Sequence, residues 1–156
     1  MTPEQVTELR ILQVKARSGT LSESERARWV ASRELLERAL NQAQLLLAPS
    51  SALARRSFRV ICALDLELEI DGALQRTRTT NFSTGGFSTQ LDCEPPRDTG
   101  LSFALSFPGS EAPLRGLVRC RGARRAGARW RASFEFVDLS PRDRNQIELE
   151  VVDMEL

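Results

Sequence analysis

Residues 64–72 read LDLELEIDG, and their residue pattern is the clearest indication of the fold. Apolar residues at positions 64, 66, 68 and 70 alternate with acidic residues at 65, 67, 69 and 71. Side chains on a strand point alternately to its two faces, so the pattern predicts a strand with one buried face and one solvent face. The closing Asp71-Gly72 is typical of a tight hairpin turn.

The same alternation continues downstream and indicates a mainly β domain. Further strands are predicted over 73–80, 86–91, 101–107, 114–120 and 130–136. Turn residues separate them, and a loop is predicted over 122–127. About six short strands with turns every 8–12 residues favour a small antiparallel barrel or sandwich. Ser140-Pro141 then predicts the start of a C-terminal helix.

Residues 1–48 instead have the pattern of a helical hairpin. Thr2 and Pro3 are a suitable N-cap and first residue for one helix, and Ser22 with Glu25 forms a capping box for a second. An apolar stripe that includes Trp29 and Leu36 either packs on the first helix or also forms a homodimer seam. We expect two domains, a helical hairpin over 1–49 and a β domain with its C-terminal helix over 50–156.

Composition excludes several classes of function. The 156-residue chain has no histidine, which excludes Ser-His-Asp and Cys-His catalysis and all His-ligated metal sites, and we find no acid–base constellation for an enzyme. Its three cysteines are widely spaced and lack a C-x-x-C motif, so reduced thiols and no metal site are expected. No apolar run is long enough to span a bilayer, and a cytoplasmic location without membrane contact is expected.

A basic segment runs from Arg115 to Arg131. It contains seven arginines and no acidic residue, although the net charge of the whole chain is only +1. The segment is either a solvated face of the sheet or a surface for nucleic acid. Because the strands offer no exposed aromatic platform, nucleic-acid binding is the less favoured interpretation.

Two short motifs carry most of the chemistry. The first, RRSFR at 55–59, places arginines at the start of the β domain, and the second, NFSTGG at 81–86, lies in a turn between strands. A guanidinium pairs bidentately with a phosphate or with the O6/N7 edge of guanine. An Asn amide and a Ser hydroxyl add donors and acceptors, and the glycines are expected to supply positive φ and close backbone approach.

Taken together, the two motifs resemble the signature of the PilZ family, bacterial receptors for cyclic di-GMP. That signature is R-x-x-x-R followed by (D/N)-x-S-x-x-G, and the resemblance covers roughly residues 52–152. It implies a six-stranded antiparallel PilZ-type β-barrel with a C-terminal helix and no enzymatic activity. It also implies that cyclic di-GMP binding reorders the arginine segment and signals to a downstream protein in motility or biofilm regulation.

The resemblance further implies which residues contact the nucleotide. One group lies on the arginine side of the ligand and the other on the turn side: Arg55, Arg56 and Arg59, and Asn81, Ser83, Gly85 and Gly86. Ser133 stands where the family often has glycine, so its side chain is expected close to the ligand. The alternative is a PilZ-like adaptor that does not bind nucleotide and acts through protein contacts.

Overall fold

The computed structural model describes residues 1–47 and 58–156 and divides the chain into two compact units. One unit contains Arg59–Ile147, and the other contains the N-terminal helices together with Glu148–Leu156. The first unit is a closed antiparallel barrel in which the strand order is β1-β2-β3-β6-β5-β4. The strands are β1 (Asp65–Ile70), β2 (Ala73–Ser83), β3 (Gly86–Leu91), β4 (Gly100–Ser106), β5 (Leu114–Ala126) and β6 (Arg129–Val137).

The alternating strand pattern therefore predicts the barrel correctly. Leu66, Leu68 and Ile70 of β1 are at most 2% exposed, whereas the acidic residues between them lie on the outer face. Aromatic rings fill the interior, with the ring centroids of Phe82 and Phe107 5.6 Å apart. Full burial of such a side chain contributes roughly 1.5–3 kcal/mol.

Two strands are longer than the sequence predicts. β2 continues to Ser83, so Asn81 lies on a strand and not in the predicted turn, because the chain from 81 to 83 pairs with β3. β5 continues through the expected loop at 122–127 and ends at Ala126, where Gly127 turns the chain into β6 with φ 66°. A bulge between Cys120 and Gly122 shifts the alternation of side chains by one residue. Beyond the bulge one face of the strand has Gly122, Arg124 and Ala126 and the other has Ala123 and Arg125, so the apolar alternation that identifies the other strands is absent.

The second unit is helical and contains α1 (Pro3–Arg17), α2 (Glu23–Leu47) and the end of α3 (Pro141–Glu155). Both predicted N-caps are confirmed, since Thr2 and Ser22 each accept a hydrogen bond from the backbone three residues on. Trp29 and Leu36 of α2 are buried with Leu9 and Leu12 of α1, so the apolar stripe does pack on the first helix.

A buried amide joins the three helices. Gln13 on α1 accepts a hydrogen bond from the Trp29 indole N–H at 2.8 Å. Its Nε2 donates to the Leu149 carbonyl and to Asp153 Oδ1 on α3, at 2.8 and 2.7 Å. Because its donors and its acceptor all have partners, Gln13 is buried without the cost of an unsatisfied polar group.

Between α2 and the end of α3, acidic side chains outnumber basic ones. Arg33 on α2 forms an ion pair with Glu148, but both carboxyl oxygens of Glu155 are buried with no hydrogen-bond partner in the described residues. Burial raises the pKa of Glu155 to about 7, with repulsion from Glu37 adding to the rise and Arg33 opposing it. Burial also raises the pKa of Glu37. Protonation of Glu155 therefore stabilises the packed helices.

Candidate ligand-binding site

The chain that leads into the barrel is bound along the edge of β2. Val60 and Phe82 exchange two backbone hydrogen bonds, of 2.8 and 2.9 Å. The Thr79 hydroxyl donates to the Cys62 carbonyl at 2.7 Å and accepts from the Leu64 N–H at 2.9 Å. These contacts fix the position of Arg59, which immediately precedes Val60, beside Asn81 on β2.

Arg59 lies at one end of a polar row on the outer face of the barrel. Its Nη1 donates to Ser88 Oγ at 3.2 Å and makes a longer contact of 3.4 Å with Asn81 Oδ1. The hydroxyls of Ser88 and Ser133 share a hydrogen bond of 2.9 Å. Asn81, Ser88 and Ser133 are paired across β2, β3 and β6, and we call these three residues the polar row.

The turn after the polar row is held by its own side chain. Ser83 is 3% exposed, and its hydroxyl accepts from the Gly85 N–H at 3.3 Å and donates to the Gly86 carbonyl at 3.2 Å. The Gly85 carbonyl accepts from the Phe136 N–H at 3.0 Å, which ties the turn to β6. The Ser83 hydroxyl therefore shapes the turn and is not directed toward solvent.

The two glycines of the turn have different roles. A Cβ on Gly86 would lie 1.9 Å from the Phe134 carbonyl oxygen, so only glycine allows β3 to approach β6 so closely. Gly85 does not have the positive φ that we expected, since only Gly86 of this pair has one. Gly85 is at an exposed position where the backbone remains in an ordinary conformation.

The structure thus brings together three of the predicted site residues directly. Arg59, Asn81 and Ser133 meet around Ser88, whereas Ser83, Gly85 and Gly86 form the adjoining turn. The predicted contacts of Arg55 and Arg56 lie outside the described residues. Sequence reasoning missed Ser88, although a two-residue turn between Ser83 and Gly86 would have placed it opposite Asn81.

The cysteines and carboxylates of the described residues were the other candidates for a functional site. Of the cysteines, Cys120 is buried and Cys62 and Cys93 are half-buried, and burial raises the pKa of Cys62 and Cys120. In residues 1–47 and 58–156 no group of three or more acidic residues or cysteines could hold a metal ion. Over the same ranges, no helix is long and apolar enough to cross a membrane.

The described residues thus combine a closed six-stranded barrel with an arginine at its entrance and an Asn-x-Ser-x-x-Gly motif beside it. The model of the PilZ domain matches residues 54–152, and the chain belongs to the PilZ family. This confirms the resemblance found in the sequence. PilZ domains are receptors for cyclic di-GMP or adaptors and are not enzymes.

Solved structures show the same fold at low sequence identity. The chain is similar to the inhibitor of motility MotI (DgrA) of Bacillus subtilis, with 16% identity, a TM-score of 0.56, and coverage of 68% of this chain and 55% of that one. It is also similar to Escherichia coli YcgR in complex with c-di-GMP, with 20% identity, a TM-score of 0.56, and coverage of 65% and 46%. The chain therefore spans about half the length of each of these two relatives.

The separate PilZ domain of YcgR with c-di-GMP matches over a larger share of its length. Its identity is 19%, its TM-score is 0.55, and the match covers 66% of this chain and 92% of that domain. A comparison with curated protein sequences finds no match. These likenesses establish the fold of the barrel.

Proposed function

We propose that this protein is a receptor for cyclic di-GMP, which binds on the outer face of the barrel at Arg59 and the polar row. The observation that carries the proposal is the contact of the Arg59 guanidinium with Ser88, within reach of Asn81 and with Ser133 next in the row. Two structural neighbours contain bound c-di-GMP, which supports the same ligand here.

The chemistry of the polar row suits this ligand. Cyclic di-GMP presents two phosphodiesters and two guanine edges, and a guanidinium binds either group through two parallel hydrogen bonds. Asn81 offers an amide donor and acceptor to a base edge, and the serine hydroxyls can reorient to donate or accept. The two contacts of Arg59 with the polar row are 3.2 and 3.4 Å long, and a charged ligand offers its guanidinium shorter, charge-assisted hydrogen bonds.

The proposal also assigns roles to the residues that precede the barrel. Arg55 and Arg56 precede Arg59 in the same motif, and we propose that they add contacts to the phosphates from the arginine side of the ligand. Their ordering on the nucleotide is the step that signals to a downstream protein, whose recognition we assign to the helical unit. The Ser133 side chain occupies space in the proposed site that a glycine would leave free for the ligand.

Calorimetric titration with cyclic di-GMP tests the proposal. The wild-type chain is expected to bind at micromolar concentrations, and Arg59→Ala is expected to weaken binding about fivefold or more, since a bidentate guanidinium contact is worth about 1–3 kcal/mol. Cyclic di-AMP is the chemical control for the guanine edge. Absence of heat with the wild-type chain at about 50 μM nucleotide, well above micromolar Kd values, overturns the proposal.

Arg76→Ala is the matched control for the loss of one arginine. Arg76 lies on the outer face of β2, is paired with Glu67 at 3.0 Å, and its side chain is 79% exposed. It does not contact the polar row, so its removal is expected to leave affinity unchanged. An equal loss of binding in the two variants would show that general charge, rather than the polar row, attracts the nucleotide.

One observation favours the adaptor as a second candidate function. Arg59 already has hydrogen-bond partners on the barrel, and the Ser83 hydroxyl is used within its own turn. In an adaptor these contacts would be purely structural. That interpretation predicts no nucleotide binding, and it predicts that replacing both Arg55 and Arg59 leaves binding of the downstream protein intact.

A further inference from the structure

Beside the polar row, two arginines face each other across neighbouring strands. Arg124 on β5 is directly opposite Arg131 on β6, and both side chains are exposed on the outer face. Side chains at such paired positions have their Cβ atoms about 4.5–5.5 Å apart. Like charges at this separation repel each other and destabilise the strand pair.

Nothing in the described part of the chain compensates this repulsion. Neither the Arg124 nor the Arg131 side chain has a hydrogen bond or ion pair with any described residue. Three other arginines of the barrel do have acidic partners: Arg129 is paired with Asp92, Arg78 with Asp65, and Arg121 with Glu135. Arg124 and Arg131 are therefore two like charges placed directly opposite each other with no acidic partner in the ranges that the structure describes.

The pair is also placed next to the site already described. Arg131 is two residues from Ser133 on the same strand face, a separation of roughly 7 Å. Opposite Ser133 on β5 is Gly122, where a Cβ would meet nothing within 4 Å. Ser133 and Gly122 thus form a surface of small residues between Arg59 and the unpaired arginines.

We propose that Arg124 and Arg131 form an anion subsite that takes a phosphodiester of the nucleotide bound at the polar row. The inference rests on the proposed function and extends the site from β2 and β3 across β6 to β5. Two guanidinium groups offer parallel donors to the non-bridging oxygens of one phosphodiester, and the bound anion removes the repulsion between them. In the absence of a ligand, repulsion between the two arginines lowers the stability of the barrel, and we infer that the fold tolerates this loss because of the subsite.

The test compares two double exchanges by calorimetry with cyclic di-GMP. Arg124→Gln with Arg131→Gln is expected to raise the Kd about tenfold, equivalent to about 1.4 kcal/mol, and to reduce the dependence of the Kd on salt. Arg124→Lys with Arg131→Lys keeps the charge and is expected to recover most of the affinity. Arg115→Gln, an exposed arginine on the same face of β5 and outside the row, is the control and should bind as the wild type does.

Thermal unfolding without nucleotide separates binding from folding. Removing one or both of the repelling charges is expected to leave the melting temperature unchanged or higher, which a structural role for these arginines would not produce. A lower melting temperature in the double Gln variant would count against the inference, and the single exchange Arg131→Gln gives a second measure of the same effect.

The outcomes distinguish this inference from the proposed function. If the wild type binds and Arg59→Ala weakens binding while the double Gln variant binds normally, the subsite is wrong and the receptor function stands. If the wild type does not bind cyclic di-GMP, both are wrong. If the double Gln exchange abolishes binding of a single-stranded oligonucleotide and leaves the nucleotide affinity unchanged, the pair serves nucleic acid, and the inference is overturned.

Discussion

The Gly86→Ala exchange tests whether the close approach of β3 and β6 builds the site. The added Cβ would lie 1.9 Å from the Phe134 carbonyl oxygen and 2.9 Å from its carbonyl carbon. A carbon–oxygen contact normally needs about 3.3 Å, so the strands must separate by more than about 1 Å. Such a shift breaks the Gly86–Glu135 pairing and the bond from the Phe136 N–H to the Gly85 carbonyl.

The expected destabilisation follows from these contacts. Overpacking costs about 1–3 kcal/mol, and each buried backbone group left without a partner costs about 1–3 kcal/mol. A total of about 3–5 kcal/mol lowers the melting temperature of a domain of this size by more than about 12 °C. Nucleotide affinity should fall with it, because Ser88 is on the displaced strand.

Thermal unfolding with amide hydrogen exchange gives the measurement. Faster exchange is expected in peptides from β3 and β6, and unchanged exchange in α1 and α2, which belong to the other unit. Gly122→Ala is the matched control, since nothing lies within 4 Å of its Cβ, and its stability should stay within about 0.5 kcal/mol of wild type. A fall of less than about 5 °C for Gly86→Ala, corresponding to about 1 kcal/mol, would refute the geometric argument.

Three further predictions concern single side chains. Since the pKa of Glu155 in the fold is about 7, above its ordinary 4.5, the stabilisation from its protonation is lost as the pH rises from about 5 to 8. For a half-buried group this pH-dependent stabilisation is about 1 kcal/mol. Glu155→Gln should therefore remove most of the dependence of the melting temperature on pH, and an unchanged dependence would contradict the prediction. Ser83→Ala should lower the melting temperature by the equivalent of about 1 kcal/mol, whereas an affinity loss at full stability would instead show a direct ligand contact. Leu46 is 87% exposed near the end of α2, and in a homodimer formed through α2 the Leu46→Glu exchange should convert the dimer to a monomer in light scattering. A monomeric wild type would exclude the seam.

The barrel could be predicted from sequence because its signal is local. Alternation in β1, turn residues such as Asp71-Gly72 and the capping residues Thr2 and Ser22 each act over a few positions. The register of the 83–86 turn is equally local, and Ser88 could have been found from it. The end of β5 could not, because a bulge changes the phase of the pattern at Arg121.

Contacts between distant parts of the chain could not be predicted from the sequence. Gln13 meets residues Leu149 and Asp153 near the other end of the chain, and no local pattern links these positions. The unpaired state of Arg124 and Arg131 is similar, since the sequence shows a basic segment but not which arginines have carboxylate partners. Partnering depends on cross-strand register, which the tertiary structure decides.

The turn that holds itself together through Ser83 and Gly86 also changes how the family signature should be interpreted in other sequences. Both residues stabilise the pairing of these strands whether or not a nucleotide ever binds, so selection for folding alone favours keeping them. A homologue that has abandoned second-messenger sensing should therefore keep this half of the signature while its arginines drift. The presence of an arginine at the position of Arg59 is then the better diagnostic of a functioning sensor.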